Sequence, residues 1–153
     1  MQQARCPHSE TAGEPVLWIF RCYDGSTGAW ATVLGDGGPA INGGITPATD
    51  SILRSPDIDL TGVSGAILQF AAAVDATAGD TLEVLVRDAS DDSLLQTITP
   101  FPAGFPVNVD WQPLGPFQFS EDVDDKTIYL EFRFVGFSNL YLGFYLDDVK
   151  ISF

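Results

Sequence analysis

Apolar residues recur at every second position along most of the chain. In "TLEVLVRD" (81–88), Leu82, Val84 and Val86 face one way, while Glu83 and Arg87 face the other. In "TIYLEFRFV" (127–135), Ile128, Leu130, Phe132 and Phe134 make an inner row, and Tyr129, Glu131 and Arg133 an outer one. A period of two marks strands with one face in a core. "VLWIFRCY" (16–23), "AWATVL" (29–34), "SILRS" (51–55), "LLQTIT" (94–99) and "GFYLDDVKISF" (143–153) read as five more strands. The best place for a helix is 66–78, yet Ala66, Leu68, Phe70, Ala72 and Val74 also repeat every second residue, with Gln69 opposite. "WQPLGPFQF" (111–119) reads as a further strand, and its prolines confine it to an edge.

Turn signals divide these runs: "YDGSTG", "GDGGPA", "NGG", "DLTG", "DASDDS", "FPAGFP" and "SEDVDD". Eight or nine short strands in 153 residues predict an all-β fold, a two-sheet antiparallel β-sandwich of jelly-roll type. Residues 1–15 read as a loose lead-in and 16–153 as a single domain. A chain of this length buries roughly 70% of its unfolded surface, and 45% hydrophobic residues with 11 Phe supply a core.

One strand carries a fault. In "FYLDDVKISF" (144–153), Phe144 and Leu146 alternate in one phase, and Val149, Ile151 and Phe153 in the other. Asp147 and Asp148 stand where the phase changes. An unbroken strand would turn Asp147 toward the core, where a carboxylate needs N–H donors, an Arg or a cation. A β-bulge at the two acids would instead let both apolar rows face inward and leave the acids outside.

Charge narrows the function classes. Seven basic residues against 21 acidic ones give a net charge of −14. Such a surface repels phosphate backbones and anionic lipid, so no nucleic-acid partner is expected. No run approaches the ~18 apolar residues of a membrane span, so no membrane insertion is expected. The opening "MQQARCPHSE" has no apolar signal core; for an exported protein the signal lies upstream or has been removed. Cys6 and Cys22 are spaced to close a disulfide onto the first strand, or to remain thiols.

Two stretches carry a family resemblance. "ILRSPDIDLTGVSGAILQF" (52–70) resembles the "L-x-S-P-x-I-D-L-(T/S)-G…A-x-L-x-F" signature of bacterial extracellular jelly rolls. These are the MAM-like modules, which include choice-of-anchor J domains and the accessory domain of immune inhibitor A type metallopeptidases. "GFYLDDVKI" (143–151) is similar to the strand that closes such modules. The order of the intervening segments agrees from about residue 16 to the end, except that 100–120 is richer in Pro and Phe. The resemblance implies an extracellular or cell-surface location and a non-catalytic accessory or binding module that recognises glycan or a protein surface. The alternative is a structural or adhesion domain making protein contacts in a multidomain surface protein. It also favours an inward Asp147, tied to a neighbouring loop or helping to hold a structural Ca²⁺. Asp148 and an acid from a nearby loop, Asp36 or else Glu14 or Asp24, would add ligands, since calcium takes six to eight oxygens.

Other chemistry finds little purchase. His8 is the single histidine and lies in the lead-in; with two Cys it cannot make an ordinary zinc site. There is no G-x-S-x-G and no phosphate loop. Among 21 acids some pair will stand at glycosidase separation by chance, and nothing singles one out. The Asp88–Ser93 turn and Asp59 in "SPDIDLTG" are expected to be Asx turns. Carbohydrate platforms need exposed aromatics. Trp18 and Trp30 fall at core positions of the resemblance, which leaves Trp111 and Tyr141 as the chosen ligand-binding candidates, with Tyr129 and Tyr145 behind them. "FSNLYLGF" (137–144) is apolar for a loop and reads as a contact patch or a buried corner.

Overall fold

The computed structural model describes residues 2–5, 28–31, 49–75, 79–101, 108–136 and 143–153. Ten strands fall within them: β1 (Gln2–Arg5), β2 (Gly28–Ala31), β3 (Thr49–Arg54), β4 (Ile58–Asp59), β5 (Ile67–Asp75), β6 (Thr81–Asp88), β7 (Leu94–Ile98), β8 (Asn108–Gln118), β9 (Thr127–Gly136) and β10 (Gly143–Ser152). A single 3₁₀ turn, Glu121–Val123, precedes β9 among the described residues. The 66–78 stretch, where no convincing helix is expected, holds β5 over Ile67–Asp75, so period two prevails there.

The strands form two antiparallel sheets. One runs β1-β2-β10-β5-β8; the other runs β3-β9-β6-β7, with β4 pairing the start of β9. Most successive strands swap sheets, and only β3–β4 and β6–β7 stay within one after β2. The order β2-β10-β5-β8 over β3-β9-β6-β7 is that of a jelly roll. β1 lies within the segment expected as a loose lead-in: residues 2–5 pair with Gly28–Ala31.

The core forms where the predicted inner rows meet. Leu68, Phe70, Ala72 and Val74 of β5 and Phe144 and Leu146 of β10 face Leu82, Val84 and Val86 of β6 and Ile128, Leu130, Phe132 and Phe134 of β9. Phe70 meets Phe132 of the other sheet edge-to-face at 5.5 Å, and Phe117 of β8 at 5.8 Å. Burying each such side chain stabilises by about 1.5–3 kcal/mol. Ala71, Ala73 and Tyr145, on the opposite face, are buried as well. Alternation is therefore blurred along "AAAV": the middle of β5 is covered on both faces, and alanine suits either one.

β8 is the edge strand that its prolines require. Among the described residues it pairs with β5 alone, so Pro113 and Pro116 meet no second ladder there. Gly115 has φ +104°, and a Cβ there would come within 2.8 Å of the Leu68 carbonyl oxygen, so only glycine fits. Gln96 ties β7 to the end of β8 across the sandwich. Its Nε2 donates to Gln118 O at 3.1 Å, and its Oε1 accepts from Ser120 N–H at 2.9 Å.

Candidate functional site

The acids of β10 sit at a bulge. Leu146 stands opposite Ala72 and Asp147 opposite Ala71, but the next aligned pair is Lys150 with Gln69, then Ile151 with Leu68. The register advances one residue, so Asp148 and Val149 together face Phe70. Leu146 is in the core, which puts Asp147 on the opposite face, half-buried, with Asp148 exposed. The inward Asp147 that the resemblance favoured is thus corrected. Alternation with Leu146 already places Asp147 outside, and the extra residue after it spares Asp148 the inward position that unbroken alternation would give it. Asp148 has φ +49°, a left-handed conformation that Asp tolerates better than most residues. Its N–H donates to Asp147 Oδ1 at 2.9 Å. Of the second apolar row, Ile151 packs against the core, while Val149 and Phe153 stay exposed.

The two acids supply only part of a calcium shell. Among the described residues no group of three or more His, Cys, Asp or Glu side chains could hold a metal ion. Asp36, Glu14 and Asp24 lie outside the described residues, and so do Cys6, Cys22, Trp18, His8, Tyr141 and the rest of 137–142. Trp30 is in β2, its backbone opposite Leu146.

The remaining aromatic candidates separate clearly. Tyr129 is 2% exposed. The Arg54 guanidinium lies 3.5 Å from its ring centroid, and its hydroxyl donates to Asp92 Oδ1 at 2.8 Å. Burial, then Asp92, pushes the phenol pKa up. Tyr145 is buried. Neither ring is open to a sugar. Trp111 keeps part of its surface, on edge strand β8 where the pairing with β5 shifts register between Ala72 and Val74. The Asp110 carboxylate accepts its backbone N–H at 2.8 Å.

A second acidic region gathers where β4, β6 and β9 meet their loops, and its chemistry is structural. Asp59 accepts from Thr61 N–H at 2.9 Å, which is the expected Asx turn. Ser90 and Ser93 N–H groups donate to Asp88 and Asp91, so the hairpin is also the expected Asx-rich turn. Asp88 does more. Its Oδ1 also accepts from Ser90 Oγ at 2.6 Å, and its Oδ2 from Lys126 Nζ at 2.8 Å. Lys126 first, then Ser90, hold the Asp88 carboxyl far below the usual carboxylate range, and Asp88 raises Lys126 in return. Asp125 accepts from Gly62 N–H at 2.7 Å and Asp124 from Gly65 N–H at 2.9 Å, closing the loop after β4 onto the segment before β9. The sequence reading missed this clasp, because its partners lie some sixty residues apart; only the pairing of glycines with a "DD" in two turn segments hinted at it.

The arginines are engaged too. Arg133 of β9 forks onto Asp50 at 3.0 and 2.8 Å, and Arg87 Nε meets Glu131 at 2.6 Å. The signature "SPDIDLTG" is likewise accounted for by folding. Ser55 exchanges hydrogen bonds with Leu130, Leu60 is buried, and Gly62 takes φ +76°.

No protein-family model matches the chain, and no curated protein matches it in sequence. Among solved structures, a cleaved adhesin domain of Lys-gingipain from Porphyromonas gingivalis is similar, at 21% identity and a TM-score of 0.46. The match covers 83% of this chain and 75% of that one. The fold assignment rests on the strand order.

Proposed function

We propose that the chain is a non-catalytic binding or accessory module of an extracellular bacterial protein, and that it recognises glycan or a protein surface. One observation carries the reading. The two stretches that resemble MAM-like jelly rolls, far apart in sequence, are antiparallel neighbours in the sheet: Ile67 to Gln69 pair with Ser152 to Lys150. Fold alone does not set function; the meeting of both signatures in one sheet is what supports the reading.

Trp111 is the contact residue of choice, with Tyr141 as its expected companion. A glycan array and a polysaccharide pull-down test this. Binding that falls at least tenfold on Trp111→Ala supports the glycan version. Binding that survives the substitution removes Trp111 from the site. No glycan binding, with a stable homodimer or a captured surface protein instead, favours the adhesion alternative.

A structural calcium held by Asp147 and Asp148, with Asp36 as a further ligand, belongs to the same proposal. An ion bound only by the native state stabilises it, so chelation is expected to lower the melting midpoint by several degrees. A midpoint unmoved by chelator and by added Ca²⁺ removes the ion.

A further inference from the structure

The tip of the β6–β7 hairpin is fastened by polar bonds rather than by burial. Residues 90–93 are exposed throughout. What closes the tip onto the body is the Asp88–Lys126 pair at 2.8 Å, Ala89 N–H to Thr127 O at 2.9 Å, Tyr129 Oη to Asp92 Oδ1 at 2.8 Å and Arg87 Nη1 to Asp92 O at 2.9 Å, with the hairpin bonds Asp88 N–H to Ser93 O at 2.9 Å and Asp92 N–H to Asp88 O at 3.0 Å. The neighbouring 3₁₀ turn differs, because Val123 is fully buried in the core. Opening the tip therefore withdraws no fully buried apolar side chain of its own, whereas moving the 3₁₀ turn would withdraw Val123. Asp88 is the hub: one oxygen holds Ser90 within the tip, and the other holds Lys126 of the body.

We propose that this tip is an acid-released latch, in which Asp88 holds residues 89–93 closed on Lys126 at neutral pH and lets them open as one unit in acid while both sheets stay paired. The charged groups around Asp88 are Lys126 from the segment before β9, Asp91 and Asp92 on the tip, Asp122 in the 3₁₀ turn near Lys126, and the Arg87–Glu131 pair beneath. Lys126 stays protonated throughout. The closed-state pKa of Asp88 is depressed, so its contribution to closing is complete above the open-state value of about 3.9 and is lost as pH falls below it. From the open-state value alone, the opening equilibrium of Asp88 rises about tenfold by pH 3.

Amide exchange protection, corrected for intrinsic rates, tests the latch. From pH 7 to pH 3 the Ala89, Ser90, Asp92 and Ser93 amides are expected to lose about tenfold protection, with β5 and β9 amides unchanged. Asp88→Asn is expected to be loosened already at pH 7 and to respond little to acid. Lys126→Met is expected to be loosened at pH 7 but to retain part of the acid response through Ser90. Tip protection that is independent of pH overturns the latch. So does protection lost only together with β5 and β9, or Asp88→Asn matching the unsubstituted protein at pH 7.

Discussion

Among the described residues two acidic regions stand out, and they hold different things together. At the β10 bulge, Asp147 accepts from the N–H of Asp148, beside one extra residue and a left-handed backbone. At the loops around β4, β6 and β9, Asp88, Asp124 and Asp125 accept from groups 2, 38, 59 and 63 residues away. Acids set among apolar strand residues catch the eye, yet the carboxylates that join separate segments lie in turns that look ordinary. Joining distant segments is what gives a carboxylate leverage on stability.

That contrast can be broken by substitution, with calcium chelated so that only the protein's own bonds are compared. The largest effect is expected for Asp124→Ala combined with Asp125→Ala, which strands the Gly62 and Gly65 N–H groups. A cost of about 2 kcal/mol is expected, roughly one for each lost cap-like bond, read by urea unfolding. Asp148→Gly is expected to act in the opposite direction and raise stability by about 0.5 kcal/mol, since glycine takes φ +49° without penalty. A smaller effect than that of the double substitution is expected for Asp147→Ala, a cost of about 0.5 kcal/mol, the low end for the one hydrogen bond from Asp148 N–H that it removes. If Asp147→Ala costs more than the double substitution in chelator, the two regions have been ranked the wrong way round.

The two-sheet fold was readable because both inner rows of β6 and β9 alternate without error, and because β8 advertises its edge position through Pro113 and Pro116. β5 was harder: Ala71 and Ala73 are buried on the face opposite the core, so period two there carries less contrast. β1 gave no signal, since "QQAR" has a single apolar residue. The bulge was readable as one of two alternatives, because a phase change in a strand has few physical solutions. Which alternative holds depends on pairing with β5, which no local pattern encodes. The clasp made by Asp124 and Asp125 was invisible for the same reason, as was the covering of Tyr129 by Arg54. Trp111 is half-buried on the edge strand, while Phe153 at the chain's end is the most exposed aromatic among the described side chains.

The bulge decides whether the acids of β10 serve the backbone or the core, and cross-strand NMR contacts between β5 and β10 test it directly. Asp147 is expected to show contacts with Ala71, and Lys150 with Gln69, leaving Asp148 and Val149 both opposite Phe70. An unbroken register, with Asp147 still opposite Ala71 but Lys150 opposite Leu68, would contradict the account.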